Sequence, residues 1–162
     1  MKVRDIIQSK SRPPLTVHPQ TLLSQCVITM ADEDLGSLVV MDGPTLAGIL
    51  TFREVILVLA QRQKELRIGP TPPVAELKVC DVMNSKPVCT APDVDLHDLR
   101  ALMISHHQRY LPVLDNGVLI GVLSFHDVAR SVFDEKEFEN RMLKSYISDW
   151  PTADTPMSSG KA

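Results

Sequence analysis

Ser124, His126 and Asp127 close a stretch that reads Gly121-Val122-Leu123-Ser124-Phe125-His126-Asp127. A hydroxyl stands three positions ahead of a carboxylate, where a β-forming run gives way to a helical pattern. This arrangement has two chemical uses. It is a capping box, in which the two side chains satisfy backbone N–H groups at a helix start. It is also a ligand site. A helix N-terminus offers free N–H groups and a positive dipole end to phosphate, and a carboxylate one turn in accepts both hydroxyls of a ribose. The two uses are compatible, and the residue types leave both open.

The same string occurs earlier as Gly48-Ile49-Leu50-Thr51-Phe52-Arg53-Glu54, at an offset of 73. Here Glu54 replaces the aspartate. Glutamate is the better capping partner for Thr51. Its extra methylene also moves the carboxylate, against a site that tolerates little misplacement. Thr51, Arg53 and Glu54 are therefore read as the weaker of two sites.

Other chemistry finds little support. His106 and His107 are adjacent, so on a helix they point about 100° apart and do not share one metal. No cysteine or carboxylate spacing suggests zinc, and no metal is expected. Cys26 sits on an apolar helix face, where an inert core thiol is the default. Cys89 has no neighbouring histidine. Neither a G-x-S-x-G elbow nor a P-loop occurs, so no catalytic residue is assigned and the chain reads as a non-enzyme.

The elements that hold these junctions are also duplicated. Ser37-Leu38-Val39-Val40-Met41-Asp42 aligns with Tyr110-Leu111-Pro112-Val113-Leu114-Asp115 at the offset of 73. Val3-Arg4-Asp5-Ile6-Ile7 aligns with Val79-Cys80-Asp81-Val82-Met83 at 76, so the first copy carries three extra residues near Ser11-Arg12-Pro13. Two copies are too few for an open solenoid and imply a closed pseudo-two-fold pair. Each copy starts with a short helix or turn and a short strand. Thr21, and Asp93 or Asp95, are expected to cap the next helix. Its apolar residues are Leu22, Cys26, Val27 and Met30 in one copy, and Leu96, Leu99, Leu102 and Met103 in the other. A hairpin follows, and Asn116-Gly117 marks its type I′ turn. A second helix ends each copy, at Phe52–Lys64 and Phe125–Phe133. The organisation is thus a first repeat at 1–64, a linker at 65–75, a second repeat at 76–133, a separate amphipathic helix at 134–150, and a disordered polar tail at 151–162.

In order, V-x-D-h-M, T-x-x-P, L-P-V-h-D, an Asn-Gly turn and G-h-h-S/T-x-x-D resemble the CBS-domain family, named after cystathionine β-synthase, in its tandem form. The resemblance covers roughly residues 1–133. It implies an α+β fold of two β-α-β-β-α repeats with pseudo-two-fold symmetry, here followed by a C-terminal helix. It further implies a stand-alone, Bateman-type regulatory module with an adenosine nucleotide in the cleft between repeats. AMP or ATP is the plain choice, and NAD(P) or S-adenosylmethionine would use the same anchors. On this resemblance Asp127 holds ribose, while Ser124 and Arg109 hold phosphate. Tyr110 lines the cleft, and His126 faces phosphate or solvent. Thr90 and Ala91 offer backbone groups to an adenine edge. Thr51, Arg53, Glu54, Val17 and His18 are the weaker counterparts, and Gly36 stands where the second copy has Arg109. Tandem modules of this family pair through their helices. Val55, Val58, Leu59, Val128 and Val132 either serve a homodimer or cover their own sheets. The alternative is an interaction module with no small-molecule ligand. The regulated effector protein is not named by the sequence.

Composition bounds these readings. The chain has 162 residues, 44% hydrophobic and only 4% aromatic, so its core is aliphatic. A net charge of −3 argues against nucleic acid, which usually meets a basic patch. No apolar run approaches the roughly 18 residues of a membrane span, and no secretory leader is visible. Three cysteines without paired spacing suit reduced thiols in the cytoplasm.

Overall fold

The structure, a computed structural model, describes residues 1–65 and 76–148. The predicted linker, beyond Glu65, and the predicted tail lie outside the described residues. The first copy forms α1 (Val3–Ser9), β1 (Thr16–Val17), α2 (Leu23–Asp32), β2 (Ser37–Asp42), β3 (Thr45–Thr51) and α3 (Phe52–Glu65). The second forms α4 (Val79–Val82), α5 (Leu96–Ser105), β4 (Tyr110–Asp115), β5 (Val118–Ser124) and α6 (Phe125–Ser148). One compact unit spans Met1–Val128, and a second starts at Ala129.

The duplicated sequence folds into duplicated geometry. β2 and β3 pair antiparallel, as do β4 and β5, with Ser37 opposite Thr51 and Tyr110 opposite Ser124. Each hairpin slips by one residue at the same place, between Val40 and Met41 and between Val113 and Leu114. Such a bulge bends the strand and increases its twist. β1 adds to β2 in parallel, whereas its second-copy counterpart shrinks to the single bridge Thr90–Val113. Asn116 and Gly117 both take positive φ, as the type I′ turn requires. Asp34 and His107, also 73 apart, both lie at φ 52 just beyond a helix. The following amides, Leu35 N and Gln108 N, return to Met30 O and Met103 O. His106 and His107 thus belong to a helix end, and among the described residues no metal-ligand cluster is found.

The leading segments cross over. Val3 N donates to Val94 O, Arg4 N to Pro92 O, and Leu96 N to Met1 O, so α1 is built into the second copy. In return Leu23 N donates to Leu77 O, and Val79 N to Thr21 O. Val79 joins the core of Leu23, Cys26, Met30, Leu38, Val40 and Leu50. The glycine of each G-h-h-S/T motif makes room for this crossing. A Cβ at Gly48 would meet Asn84 O at 2.6 Å, and one at Gly121 would meet Ile7 at 2.5 Å. The aspartate of each V-x-D motif caps the crossing helix. Asp5 accepts Lys2 N–H at 2.8 Å, and Asp81 accepts Lys78 N–H at 3.0 Å.

This exchange corrects several expectations. Thr21 does not cap α2. The cap residue is Leu22, without a side-chain bond, because the Leu77 carbonyl already meets the first helical amide. Asp95 is the cap residue of α5, again without a side-chain bond, since Met1 O serves instead. The buried face of α2 is Leu23, Cys26 and Met30, while Leu22 and Val27 are exposed. The separate helix expected from residue 134 does not exist, because α6 runs unbroken from Phe125 to Ser148. No proline or glycine falls in that span, so nothing stops the helix at Phe133. Val55 and Val58 pack on their own core, and Val128 is buried, so these three do not form a free pairing face.

Candidate functional site

The β4–β5 register assembles the second-copy candidates. Tyr110 lies opposite Ser124, and Phe125 N donates to Arg109 O at 2.7 Å, fixing the start of α6 against the start of β4. At that start Ser124 and Asp127 make a reciprocal capping box. Ser124 N–H donates to Asp127 Oδ2 at 2.9 Å, and Asp127 N–H donates to Ser124 Oγ at 3.0 Å. Arg109 and His126 are exposed beside this junction, and Tyr110 is half-buried. Arg109, Tyr110, Ser124, His126 and Asp127 therefore occupy one neighbourhood.

A residue that the sequence reading missed completes it. Lys10 Nζ donates to Asp127 Oδ2 at 2.8 Å and to Val122 O at 2.7 Å. The ammonium comes from the α1–β1 loop, which α1 carries to the second copy. Nothing in the spacing of Lys10 signals this, since 117 residues separate it from Asp127. Burial pushes the Asp127 carboxyl up, but the Lys10 ammonium and the Ser124 amide outweigh it and hold the group below the ordinary aspartate range. Tyr110 moves the other way. Burial raises its phenol, Arg109 opposes, and the Asp127 carboxylate adds to the rise. The Tyr110 ring lies over Gly36, where a Cβ would overlap its hydroxyl. The missing side chain at Gly36 is thus what admits Tyr110.

The first-copy junction is built differently. Both the amide and the hydroxyl of Thr51 donate to Glu54 Oε2, the amide at 2.7 Å. Arg53 N–H donates to Thr51 Oγ1 at 3.2 Å. The longer side chain folds back fully onto its own cap, and Gly36 supplies no side chain in the Arg109 position.

The expected adenine-edge backbone is mostly engaged already. Thr90 N–H donates to Pro112 O and Thr90 O accepts from Leu114 N, so both groups belong to the sheet bridge. This removes the expected backbone role of the Thr90 amide. Its buried Oγ1 has no hydrogen-bond partner among the described residues. Ala91 is exposed, with its carbonyl accepting from Val94 N. Val17 pairs with Val40 in the sheet. The His18 carbonyl accepts from Thr21 N, and its Nδ1 accepts from Gln20 N.

Two rebuilt copies with exchanged leading helices carry a family signature. The CBS domain profile matches residues 3–61 and again 79–134. The chain belongs to the CBS-domain family. Among its CBS relatives, YhcV of Bacillus subtilis is 29% identical over 114 residues, 70% of this chain and 75% of YhcV. The crystal structure of the CBS domain NE2398 superposes with a TM-score of 0.71 at 28% identity, covering 82% of this chain and 98% of that one. CBSX2, whose crystal structure is in complex with AMP, gives a TM-score of 0.67 at 24% identity, over 83% of this chain and 98% of CBSX2. At that identity the likeness to CBSX2 is one of fold. The architecture is a tandem CBS pair of class α+β, and no helix among the described residues is long and apolar enough to cross a membrane.

Proposed function

We propose that this CBS pair is a regulatory module that binds an adenosine nucleotide at the second-copy junction and passes the bound state to a separate effector protein. One observation carries the reading: strand register gathers Asp127, Ser124, Arg109, Tyr110 and His126 at the N-terminal end of α6. Asp127 would take the ribose hydroxyls. Ser124, Arg109 and His126 would take phosphate at the positive end of α6. Tyr110 and Ala91 would flank the base, and Thr90 would contribute only through its Oγ1. AMP or ATP fits this set best, with NAD(P) and S-adenosylmethionine sharing the adenosine anchors. The complex of CBSX2 with AMP supports the ligand class. The first-copy set of Thr51, Arg53, Glu54, Val17 and His18 is the poorer site, because Glu54 is already closed on Thr51. The module regulates by binding two arrangements of the pair unequally, not by turnover.

Pairing with a second copy extends the reading. Phe52, Ile56 and Leu59 are each more than half exposed and recur at i, i+4 and i+7, which makes an apolar stripe along α3. A homodimer through such helix faces would cover it. The free thiols of Cys26, Cys80 and Cys89 suit a reducing cytoplasm.

A second reading has its own support. The Lys10 contact satisfies Asp127 within the chain, as expected of an interaction module without a small-molecule ligand. A thermal melt with millimolar AMP, ATP, NADP or S-adenosylmethionine separates the two. A ligand at about 100 times its Kd adds about 2.7 kcal/mol and raises Tm by several degrees. The expected result is a rise with at least one of them that Asp127→Ala abolishes while the variant stays folded. An empty protein, checked for co-purified nucleotide, that responds to none of them overturns the sensor in favour of the interaction module.

A further inference from the structure

We propose that Lys10 is a built-in competitor for Asp127, and that it biases the site toward phosphorylated nucleosides over the neutral nucleoside. This rests on reading Asp127 as the ribose ligand. Asp127 Oδ2 already accepts Ser124 N–H at 2.9 Å and Lys10 Nζ at 2.8 Å. A carboxylate oxygen has about two lone-pair sites, so Oδ2 is filled. A vicinal diol donates to both oxygens of the carboxylate. It therefore binds fully only when Lys10 leaves.

Comparison of the two copies shows that Lys10 is a special construction of the second. Val122 is the counterpart of Ile49. Ile49 exchanges two backbone hydrogen bonds with Asn84, at 3.0 and 2.9 Å. At Val122 the carbonyl instead accepts the Lys10 ammonium. The substitution arises where the inter-copy offset changes from 76 to 73, in the loop that holds the extra residues of the first copy. A backbone pair cannot leave without unpairing its segment. A lysine that is 33% exposed leaves by rotating its stem. Once displaced, its ammonium loses its anion. A nucleotide supplies a phosphate to replace the carboxylate, whereas adenosine supplies none. The neutral ligand must therefore bind against the full loss of the ion pair.

Calorimetric titration of the full chain with adenosine and with AMP tests this, in the native protein and in Lys10→Met, which keeps an apolar stem. The native protein is expected to prefer AMP. Lys10→Met is expected to bind adenosine about threefold to fivefold more tightly, with a matching fall in the AMP-to-adenosine ratio, the scale of a partly exposed ion pair. Adenosine binding by the variant alone would also support the competitor. An unchanged ratio, or equal weakening of both ligands, overturns the role of Lys10 and leaves the nucleotide reading standing. No binding of either ligand to either protein overturns both. Should the variant not fold, ¹⁵N-lysine spectra of the native protein decide: the Lys10 ammonium signal must move on adding AMP, and a stationary signal in the saturated complex overturns the proposal.

Discussion

Asp127 and Glu54 show how one methylene redirects a motif. Glu54 reaches both the amide and the hydroxyl of Thr51 with a single oxygen. Asp127 Oδ2 accepts the Ser124 amide, and the same oxygen takes the ammonium of Lys10. The depressed carboxyl of Asp127 ties this arrangement to pH. Its folded value lies below the unfolded value of about 3.9, so the folded state favours the ionised form. The resulting stability is complete above the unfolded value and is lost as pH falls through the folded one. Urea melts of native protein and Asp127→Asn across acid pH should show a constant stability gap above about pH 5 that narrows below about pH 4. A gap that stays constant to the lowest pH would show that ionised Asp127 is not favoured by folding.

At the scale of elements, the exchange of leading helices decides where a residue acts. Ile6 belongs to the first copy in the chain, yet it is 2% exposed on a helix bonded to Val94, Pro92 and Leu96 of the second. Ile6→Ala should cost about 2–5 kcal/mol, as truncation of a buried isoleucine does. Native-state hydrogen exchange should report lost protection first in α5, β4 and β5. Loss confined to α2, β2 and β3 would contradict the crossing. The continuous α6 teaches a related lesson. A repeat boundary in sequence need not be an element boundary, since a helix stops only where caps, proline or glycine end its ladder.

Across the whole molecule, the sheets use Val55, Val58 and Val128 for their own cores. The apolar surface left on α3 includes the stripe of Phe52, Ile56 and Leu59, with Leu57 beside it. If this stripe pairs with a second copy, Ile56→Glu should convert a dimer to a folded monomer in sedimentation velocity. The substitution places an unpaired charge in an apolar contact. A native protein already monomeric at high concentration would remove the dimer from the functional reading.

The sequence alone determined the duplication, the hairpin with its Asn116-Gly117 turn and the α+β class. These rest on periods and turn residues that act over a few positions. It also singled out Ser124 and Asp127 through a local motif, and Arg109 and Tyr110 through the family resemblance. It could not show that α1 belongs to the second copy, since backbone hydrogen bonds to Val94 and Pro92 leave no mark on residue type. For the same reason Thr21 and Asp95 looked like side-chain caps, although carbonyls from the crossing segments meet those amides. Lys10 is the clearest case. Among the charged residues of a loop it is ordinary, and only the crossing helix brings its ammonium to Asp127. Tertiary structure decided that contact because an ion pair depends on distance in space, and 117 residues of chain carry no trace of it.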